Sequence, residues 1–407
     1  MKTKMKNNIM KEKRFTLHQQ LYTLSVFRNM LETPVVSSFQ KFLGAVEKGS
    51  LEEQLSTYGA FSHAIFAEGG NLTDCIKNAV LDCDTPYLQA RIQGKSVSPA
   101  LETALLAELE ILQQLSQMKS TDLQAAIDFD GYLPHWETED CNLVASYQVM
   151  MESLATKGYG IFAKHRAFRV KNGQLLPVSH PDEQTISQLY GYERERNQVL
   201  ENTRALVEGL PASNVLLYGD AGTGKSSTIK ACVNAFADQG LRLIEFDRNG
   251  LEEIPAIMEA LHDHPLKFIF YIDDLSFNHN DDDFSSLKGI LEGGVTGSAK
   301  NIAIYATSNR RHLVKESMEA RMGSDLHLND TLQETMSLSA RFGLTITFSK
   351  PEKDLYLEIV KSLATEYGVT LDEADLYRKA EAFAIRSNGR SPRTAKQFIQ
   401  LVCTGLK

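Results

Sequence analysis

An eight-residue segment, Gly219 to Ser226, constrains the fold of this chain more than any other feature. It reads GDAGTGKS and matches the pattern GxxxxGK[ST]. An apolar run, Val215 to Tyr218, precedes it, and a helical segment begins near Lys225. The glycines allow the backbone to curl so that successive N–H groups point at phosphate oxygens, and the helix adds its positive N-terminal end. The segment therefore predicts a strand, a phosphate-binding loop and a helix in that order.

The same pattern assigns roles to individual side chains. We expect Lys225 to reach the β- and γ-phosphates of a nucleoside triphosphate and the Ser226 hydroxyl to ligate Mg²⁺, so the predicted cofactors are ATP and Mg²⁺. The alternative is a glycine-rich turn that matches the pattern by chance, which the flanking strand and helix disfavour. The residues predicted to contact the nucleotide here are consecutive: Gly219, Asp220, Ala221, Gly222, Thr223, Gly224, Lys225, Ser226 and Ser227.

A second apolar run ends in two acidic residues. Residues Phe268 to Ile272 are apolar throughout, and Asp273 and Asp274 follow directly. Open α/β sheets bind their ligands at the carboxyl ends of the strands. We expect Asp273 to hold Mg²⁺ through water and Asp274 to orient or deprotonate the attacking water, which is a Walker B arrangement. The alternative is a solvated acidic loop, which continues with residues 281–283.

A third apolar run, Ile302 to Thr307, is followed by polar and basic residues. Asn309 comes two positions after it, where a strand-terminal amide beside a phosphate loop is suited to position the hydrolytic water or to sense the γ-phosphate. Arg310 and Arg311 come next. They indicate either a surface patch or a DNA contact, and the sequence leaves both interpretations open.

The order of these runs predicts the fold class. From residue 215 onward, short apolar runs alternate with helical stretches, which is typical of an open α/β sheet with parallel strands. The five predicted strands are Val215 to Tyr218, Arg242 to Phe246, Phe268 to Asp273, Ile302 to Thr307 and Leu344 to Phe348. Three helices are predicted to follow them: Glu352 to Tyr367, Asp372 to Ser387 and Pro392 to Cys403.

The preceding part of the chain has a different character. Helical periodicity dominates up to about residue 125, and Asn172-Gly173 predicts a tight hairpin within Arg166 to Val178. We place this hairpin at the end of the N-terminal region. The predicted domains are a mainly helical region over residues 1–180, an α/β core over 181–350 and a helical lid over 351–407.

Composition excludes several function classes. The 43 Lys and Arg residues against 52 Asp and Glu give a net charge of −9, which disfavours nucleic acid as the main partner. The longest apolar run is far shorter than the roughly 20 residues that a membrane span needs. The five cysteines show no CxxC spacing, so neither a disulfide framework nor a zinc site is indicated. We expect a cytoplasmic protein.

Together these elements resemble AAA+ ATPases, in which a phosphate loop, a Walker B motif, a polar sensor and an arginine-bearing segment follow in this order. The sequence resembles more closely a bacterial group of AAA+ proteins, domain of unknown function 815, from about residue 165 to the end. The stretches that carry this resemblance are DDLSF at Asp273 to Phe277, YATSNRRHL at Tyr305 to Leu313 and SLSARFGL at Ser337 to Leu344. It implies an AAA+ P-loop core with a five-stranded parallel sheet and a C-terminal helical lid.

The resemblance also implies two catalytic arginines. In AAA+ assemblies an arginine of one subunit completes the site of its neighbour, and the segment around Arg341 is similar to the one that carries it in replication initiators. Arg393, at the start of the last predicted helix, is similar to the second sensor that touches the γ-phosphate from the same chain, with Arg390 as the alternative. The competing interpretations are a structural ion pair for Arg341 and a solvated helix start for Arg393.

A further resemblance concerns the base of the nucleotide. The segment His180 to Gly191 is similar to the one that covers adenine in AAA+ proteins, where Leu189 and Tyr190 are expected to supply apolar contact. The same residues are equally suited to pack the next helix onto the sheet. One departure from the family is Asp274, because most AAA+ enzymes carry the longer glutamate there, and it indicates slow hydrolysis.

Two functions follow from these observations. The first is a homo-oligomeric ATPase that uses Mg-ATP hydrolysis to remodel or load a protein partner bound by the N-terminal region. The second is a nucleotide-gated switch or adaptor, similar to helicase loaders, with slow hydrolysis and DNA as a lower-ranked partner.

Overall fold

The chain forms two compact units, residues 1–164 and residues 165–407. A computed structural model describes residues 16–275, 282–291, 299–309, 340–387 and 389–405. None of the helices within these ranges is both long and apolar enough to cross a bilayer. The basic N-terminal tail, residues 1–15, lies outside them.

The first unit is helical. Several of its helices begin at a capping side chain, as at Ser50, whose hydroxyl accepts from the backbone N–H of Glu53 while the Glu53 carboxylate accepts from Ser50 N–H. Aromatic side chains fill its core, among them Phe61 and the 6% exposed Trp136, whose rings meet edge to face at 5.1 Å. The helices are α1 (Pro34–Lys48), α2 (Leu51–Ala67), α3 (Leu72–Asp82), α4 (Pro86–Ile92), α5 (Pro99–Ser116), α6 (Ser120–Gln124), α7 (Leu143–Glu152), α8 (Leu154–Lys157) and α9 (Ile161–Lys164).

The second unit is built on a mostly parallel sheet. Its strands are β1 (Ala167–Lys171), β2 (Gln174–Pro177), β3 (Val215–Gly219), β4 (Leu241–Phe246), β5 (Lys267–Ile272), β6 (Ile302–Ser308) and β7 (Leu344–Phe348). They lie in the order β2-β1-β4-β5-β6-β3-β7. Five side chains of β5, Phe268 to Ile272, are fully buried, as expected for a central parallel strand covered on both faces.

The sheet has seven strands, whereas five were predicted. The five predicted strands are present and parallel. The additional two are the predicted hairpin, in which Asn172 and Gly173 both have positive φ. Since β1 pairs in parallel with β4, opposite Leu243 and Ile244, the hairpin extends the sheet. The predicted boundary near residue 180 placed it with the N-terminal region, but the two compact units divide after Lys164.

Helices flank this sheet and follow it. They are α10 (Glu193–Val207), α11 (Lys225–Phe236), α12 (Ile254–Leu261), α13 (Asp282–Leu291), α14 (Lys353–Glu366), α15 (Glu373–Arg386) and α16 (Pro392–Cys403). The last three match the helices predicted after Pro351. Helix α16 begins at Ser391, whose hydroxyl accepts from Thr394 N–H, and Pro392 occupies the first turn.

The strand order determines where functional side chains meet. Strands β5, β6 and β3 are neighbours and run in the same direction. Their carboxyl ends therefore lie at one edge of the sheet, which brings together the glycine-rich segment, the two aspartates and Asn309.

Candidate functional site

The glycine-rich segment has the curled backbone of a phosphate-binding loop. Gly219 and Gly222 have φ of 135° and 79°, which side chains rarely tolerate. A Cβ on Gly219 would lie 2.1 Å from the carbonyl oxygen of Phe348 on the neighbouring strand. Helix α11 begins directly after the loop, at Lys225. Its first N–H groups thus lie beside the loop, where they have no intrahelical acceptors.

Lys225 is buried within this loop, with 6% of its surface exposed. Its Nζ donates to the carbonyl oxygens of Gly219 at 3.0 Å and Asp220 at 2.8 Å, and to Oδ1 of Asn309 at 3.0 Å. Burial lowers the pKa of Lys225, and the carboxylates of Asp220 and Asp274 oppose this shift. All three ammonium protons have an acceptor, so the lysine is held at the loop by the protein itself.

Asp273 is the carboxylate best placed to meet a metal ion. Its Oδ1 accepts from the hydroxyl of Ser226 at 2.8 Å and from the hydroxyl of Thr307 at 2.6 Å. Partial burial raises the pKa of Asp273, but the hydrogen bonds from Thr307 and Ser226 outweigh it, so the pKa is lowered overall. Asp273 is therefore ionised at neutral pH, next to a hydroxyl of the phosphate loop.

Asp274 adopts an unusual backbone conformation at the end of β5. Its φ is 51°, in the left-handed region, and its N–H donates to Thr307 Oγ1 at 2.9 Å. The amide of Asn309 donates to Asp274 Oδ1 at 2.7 Å. Because Asn309 also accepts from Lys225, one amide side chain joins the loop lysine to the second aspartate.

These groups open onto a cavity of about 700 Å³. That volume is within the range of about 300–1,000 Å³ that is usual for ligand pockets. The cavity is lined by Lys225, Asp273 and Asn309, and also by the predicted base-covering residues Leu189 and Tyr190. The structure thus places both groups of predicted contacts around the same space.

The two candidate sensor arginines lie in different surroundings. Arg393 lines the cavity, and its backbone N–H donates to the carbonyl oxygen of Gly222 at 3.2 Å. Arg390 forms a bidentate ion pair with Glu381, with distances of 2.8 and 2.6 Å. Since its guanidinium is already engaged by a carboxylate, Arg393 is the better candidate for a nucleotide contact.

Of the other predicted basic residues, Arg341 belongs to the described part of the chain. Arg341 is half-buried just before β7 and is not among the described residues that line the cavity. Arg310 and Arg311 lie outside the described residues, as do the parts of the three resemblance stretches at 276–277, 310–313 and 337–339.

Sequence reasoning missed several cavity-lining side chains, and three of them are polar or aromatic groups near the loop-proximal helices and strands: Arg196, Tyr192 and Thr307. Arg196 on α10 is buried and pairs with Glu193 at 3.1 Å, and Tyr192 precedes that helix with φ of 60°. Thr307 is the third. Its position two residues before Asn309 was the available signal, because alternate residues of a strand point to the same face.

The arrangement fits a nucleotide with its metal ion. The 2.8 Å contact between the hydroxyl of Ser226 and the carboxylate of Asp273 places two oxygen donors side by side, and Mg²⁺ prefers oxygen ligands, few of them from the protein. The glycine-rich loop beside them leads directly into the N-terminus of α11, which is the kind of backbone that binds phosphate oxygens.

Residues 163–405 match the family described as "Protein of unknown function (DUF815)". The chain belongs to the DUF815 family. This confirms the resemblance to domain of unknown function 815 that the sequence motifs indicated. No curated protein matches the DUF815 chain in sequence.

The comparison with solved structures finds similarity to RuvB of Thermotoga maritima. A structure titled as the Holliday junction branch migration motor is 15% identical, with a TM-score of 0.36 and coverage of 54% of the DUF815 chain and 64% of RuvB. A substituted form of the same protein is 16% identical, with a TM-score of 0.37 and the same coverage. The DUF815 chain thus spans less than two thirds of the RuvB chains that it matches.

Proposed function

We propose that this DUF815 protein binds Mg-ATP in the cavity of its second unit and hydrolyses it. One observation carries the proposal: Lys225, Asp273 and Asp274 converge with Asn309 at the carboxyl edge of three adjacent parallel strands. A buried ammonium beside two carboxylates and a glycine-rich loop is suited to a polyphosphate with its divalent cation.

Each side chain then has a defined role. The loop N–H groups and Lys225 hold the β- and γ-phosphates, and Ser226 with Asp273 would hold Mg²⁺, which neutralises charge on the phosphate oxygens. Asp274 orients the attacking water and accepts its proton. Asn309 positions that water or contacts the γ-phosphate. Arg393 contacts the γ-phosphate from the C-terminal helices, which act as a lid.

The resemblance to AAA+ proteins extends the proposal to an assembly. Arg341 would act on the active site of a neighbouring subunit, which agrees with its position away from its own cavity. The helical first unit would bind a protein partner that the ATPase remodels or loads. The net charge of −9 ranks nucleic acid second. We expect the protein to act in the cytoplasm.

The second candidate is a nucleotide-gated switch with slow hydrolysis. The favouring observation is that Oδ1 of Asp274 accepts from Asn309 at 2.7 Å, so a water that Asp274 orients has to bind at the other carboxylate oxygen or share Oδ1 with this amide. Asp274 is also one methylene shorter than the glutamate that is usual in AAA+ enzymes. In such a switch, ATP binding changes the affinity of the protein for its partner, and hydrolysis returns the protein to the nucleotide-free affinity.

Binding of labelled ATP tests the shared basis of both functions. Lys225→Ala should lose most of the affinity in the presence of Mg²⁺, because the phosphates lose the buried ammonium group of the phosphate-binding loop. Lys353→Ala, an exposed lysine at the start of α14 and away from the cavity, is the matched control. Circular dichroism checks that both variants are folded. If Lys225→Ala binds ATP as tightly as wild type, the proposal is wrong.

A further inference from the structure

The hydroxyl of Thr307 joins the end of β6 to both aspartates that follow β5. Thr307 is 2% exposed and is the last but one residue of its strand. Its Oγ1 donates to Asp273 Oδ1 at 2.6 Å and accepts from the N–H of Asp274 at 2.9 Å. The Thr307 carbonyl oxygen accepts from Leu275 N–H at 2.7 Å. Three consecutive residues of the Walker B segment therefore bond to one threonine.

The Thr307 hydroxyl both donates and accepts a hydrogen bond. It has one proton to donate, which goes to the metal-binding carboxylate, and it accepts from the backbone of the next residue. A β-branched side chain has few rotamers, and burial restricts it further, so the hydroxyl is held in place. Its contacts determine the orientation of the Asp273 carboxylate and the left-handed backbone of Asp274 together.

Two hydroxyl groups donate to the same oxygen of Asp273, that of Ser226 and that of Thr307. If Ser226 ligates Mg²⁺, a lone pair of its oxygen would go to the metal while its proton could stay directed at Asp273, so Ser226 would serve the metal and the carboxylate together. Thr307 is not on the phosphate loop, so its hydroxyl orients Asp273 without being a proposed metal ligand itself.

We propose that Thr307 is a positioning residue that sets the affinity of the site for Mg²⁺ by orienting Asp273. This inference rests on the proposed function, because it requires nucleotide and Mg²⁺ in the same cavity. Residues that orient metal ligands usually change metal affinity or activity by about 10- to 100-fold when they are replaced. We expect a change of this size in the Mg²⁺ requirement, with little change in the affinity for metal-free ATP.

The test compares three variants of the full chain. Thr307→Val removes the hydroxyl and keeps the shape, and Thr307→Ser keeps the hydroxyl. Thr203→Val is the matched control, since Thr203 is a buried threonine that pairs with Tyr305 of the same strand at 2.9 Å and contacts neither aspartate. Binding of a fluorescent ATP analogue is measured in EDTA. Calorimetric titration of Mg²⁺ into the ATP-bound protein then gives the metal affinity, and turnover is measured against Mg²⁺ concentration.

In Thr307→Val we expect wild-type binding in EDTA and an Mg²⁺ dissociation constant raised by about 10- to 100-fold. Thr307→Ser should restore the wild-type Mg²⁺ affinity, and Thr203→Val should leave it unchanged. If Thr307→Val does not fold, Thr307→Ala takes its place with the same expected result. An unchanged Mg²⁺ affinity without the hydroxyl overturns the inference, and so does an equal loss in Thr203→Val or in Thr307→Ser. If wild type binds the ATP analogue neither in EDTA nor with Mg²⁺, the proposed function itself fails, and this outcome is distinct from an unchanged Mg²⁺ affinity in Thr307→Val.

Discussion

The backbone conformation and the hydrogen bond of Asp274 can both be kept in a variant that lacks its negative charge. Its φ of 51° lies in the left-handed region, which costs about 1–2 kcal/mol for most residues with a Cβ but which Asn and Asp adopt more readily. Its carboxylate accepts one hydrogen bond, from the amide of Asn309. Asparagine at this position meets both structural requirements, because its side-chain oxygen is an acceptor too. Only the charge and the basicity are removed.

We therefore predict that Asp274→Asn folds normally and does not turn over ATP. Loss of a general base lowers turnover by about 10²- to 10⁴-fold. The free energy of unfolding should change by less than about 0.5 kcal/mol, as is usual for substitutions at exposed positions that keep their contacts. Binding of Mg-ATP should persist, because Lys225 and Asp273 are unchanged.

Asp274→Ala is the control for the structural role. Alanine loses the hydrogen bond from Asn309, which contributes about 0.5–1.5 kcal/mol, and the lower half of that range applies because the residue is exposed. It also places a less tolerant residue at a left-handed φ, which adds roughly 1 kcal/mol. Together these terms predict that Asp274→Ala is destabilised by about 1.5–2 kcal/mol relative to Asp274→Asn.

The measurements are steady-state phosphate release and urea denaturation of the three proteins. If Asp274→Asn releases phosphate at the wild-type rate, Asp274 is not the residue that activates water. If Asp274→Asn and Asp274→Ala unfold at the same urea concentration, the left-handed conformation and the contact with Asn309 do not contribute as argued.

Two further predictions concern residues away from the cavity. At concentrations at which the protein assembles, Arg341→Ala should lower turnover by about 10³-fold or more and leave ATP binding intact, whereas an unchanged rate would contradict a shared site. Burial and the nearby Arg242 lower the pKa of His264 from 6.5 to about 3. Because the unfolded chain takes up this proton first, the free energy of unfolding should fall by about 1.4 kcal/mol per pH unit between pH 6.5 and 3. The free energy of unfolding is measured by urea denaturation at several pH values. It should fall less steeply with decreasing pH in His264→Gln than in wild type, and an equal pH dependence would contradict the lowered pKa of His264.

Much of the site was predictable from local patterns. The spacing GxxxxGK[ST], the apolar run of β5 and the two aspartates after it are each contained in a few consecutive residues. Periodicity and breakers such as Pro351 likewise predicted the three C-terminal helices. Such features depend on backbone conformations and solvation of neighbouring residues, which the composition of a short segment largely decides.

The sequence did not predict the features that depend on which strands become neighbours in the sheet. The hairpin at Asn172 was predicted, but its pairing with β4 was not, and this pairing makes the sheet seven strands wide. The bridge from Thr307 to Asp273 and the contact of Arg393 with Gly222 arise in the same way. Each joins residues far apart in the chain, and strand order and helix packing come from the competition of the whole chain for buried surface. No pattern within a single segment records the outcome of that competition.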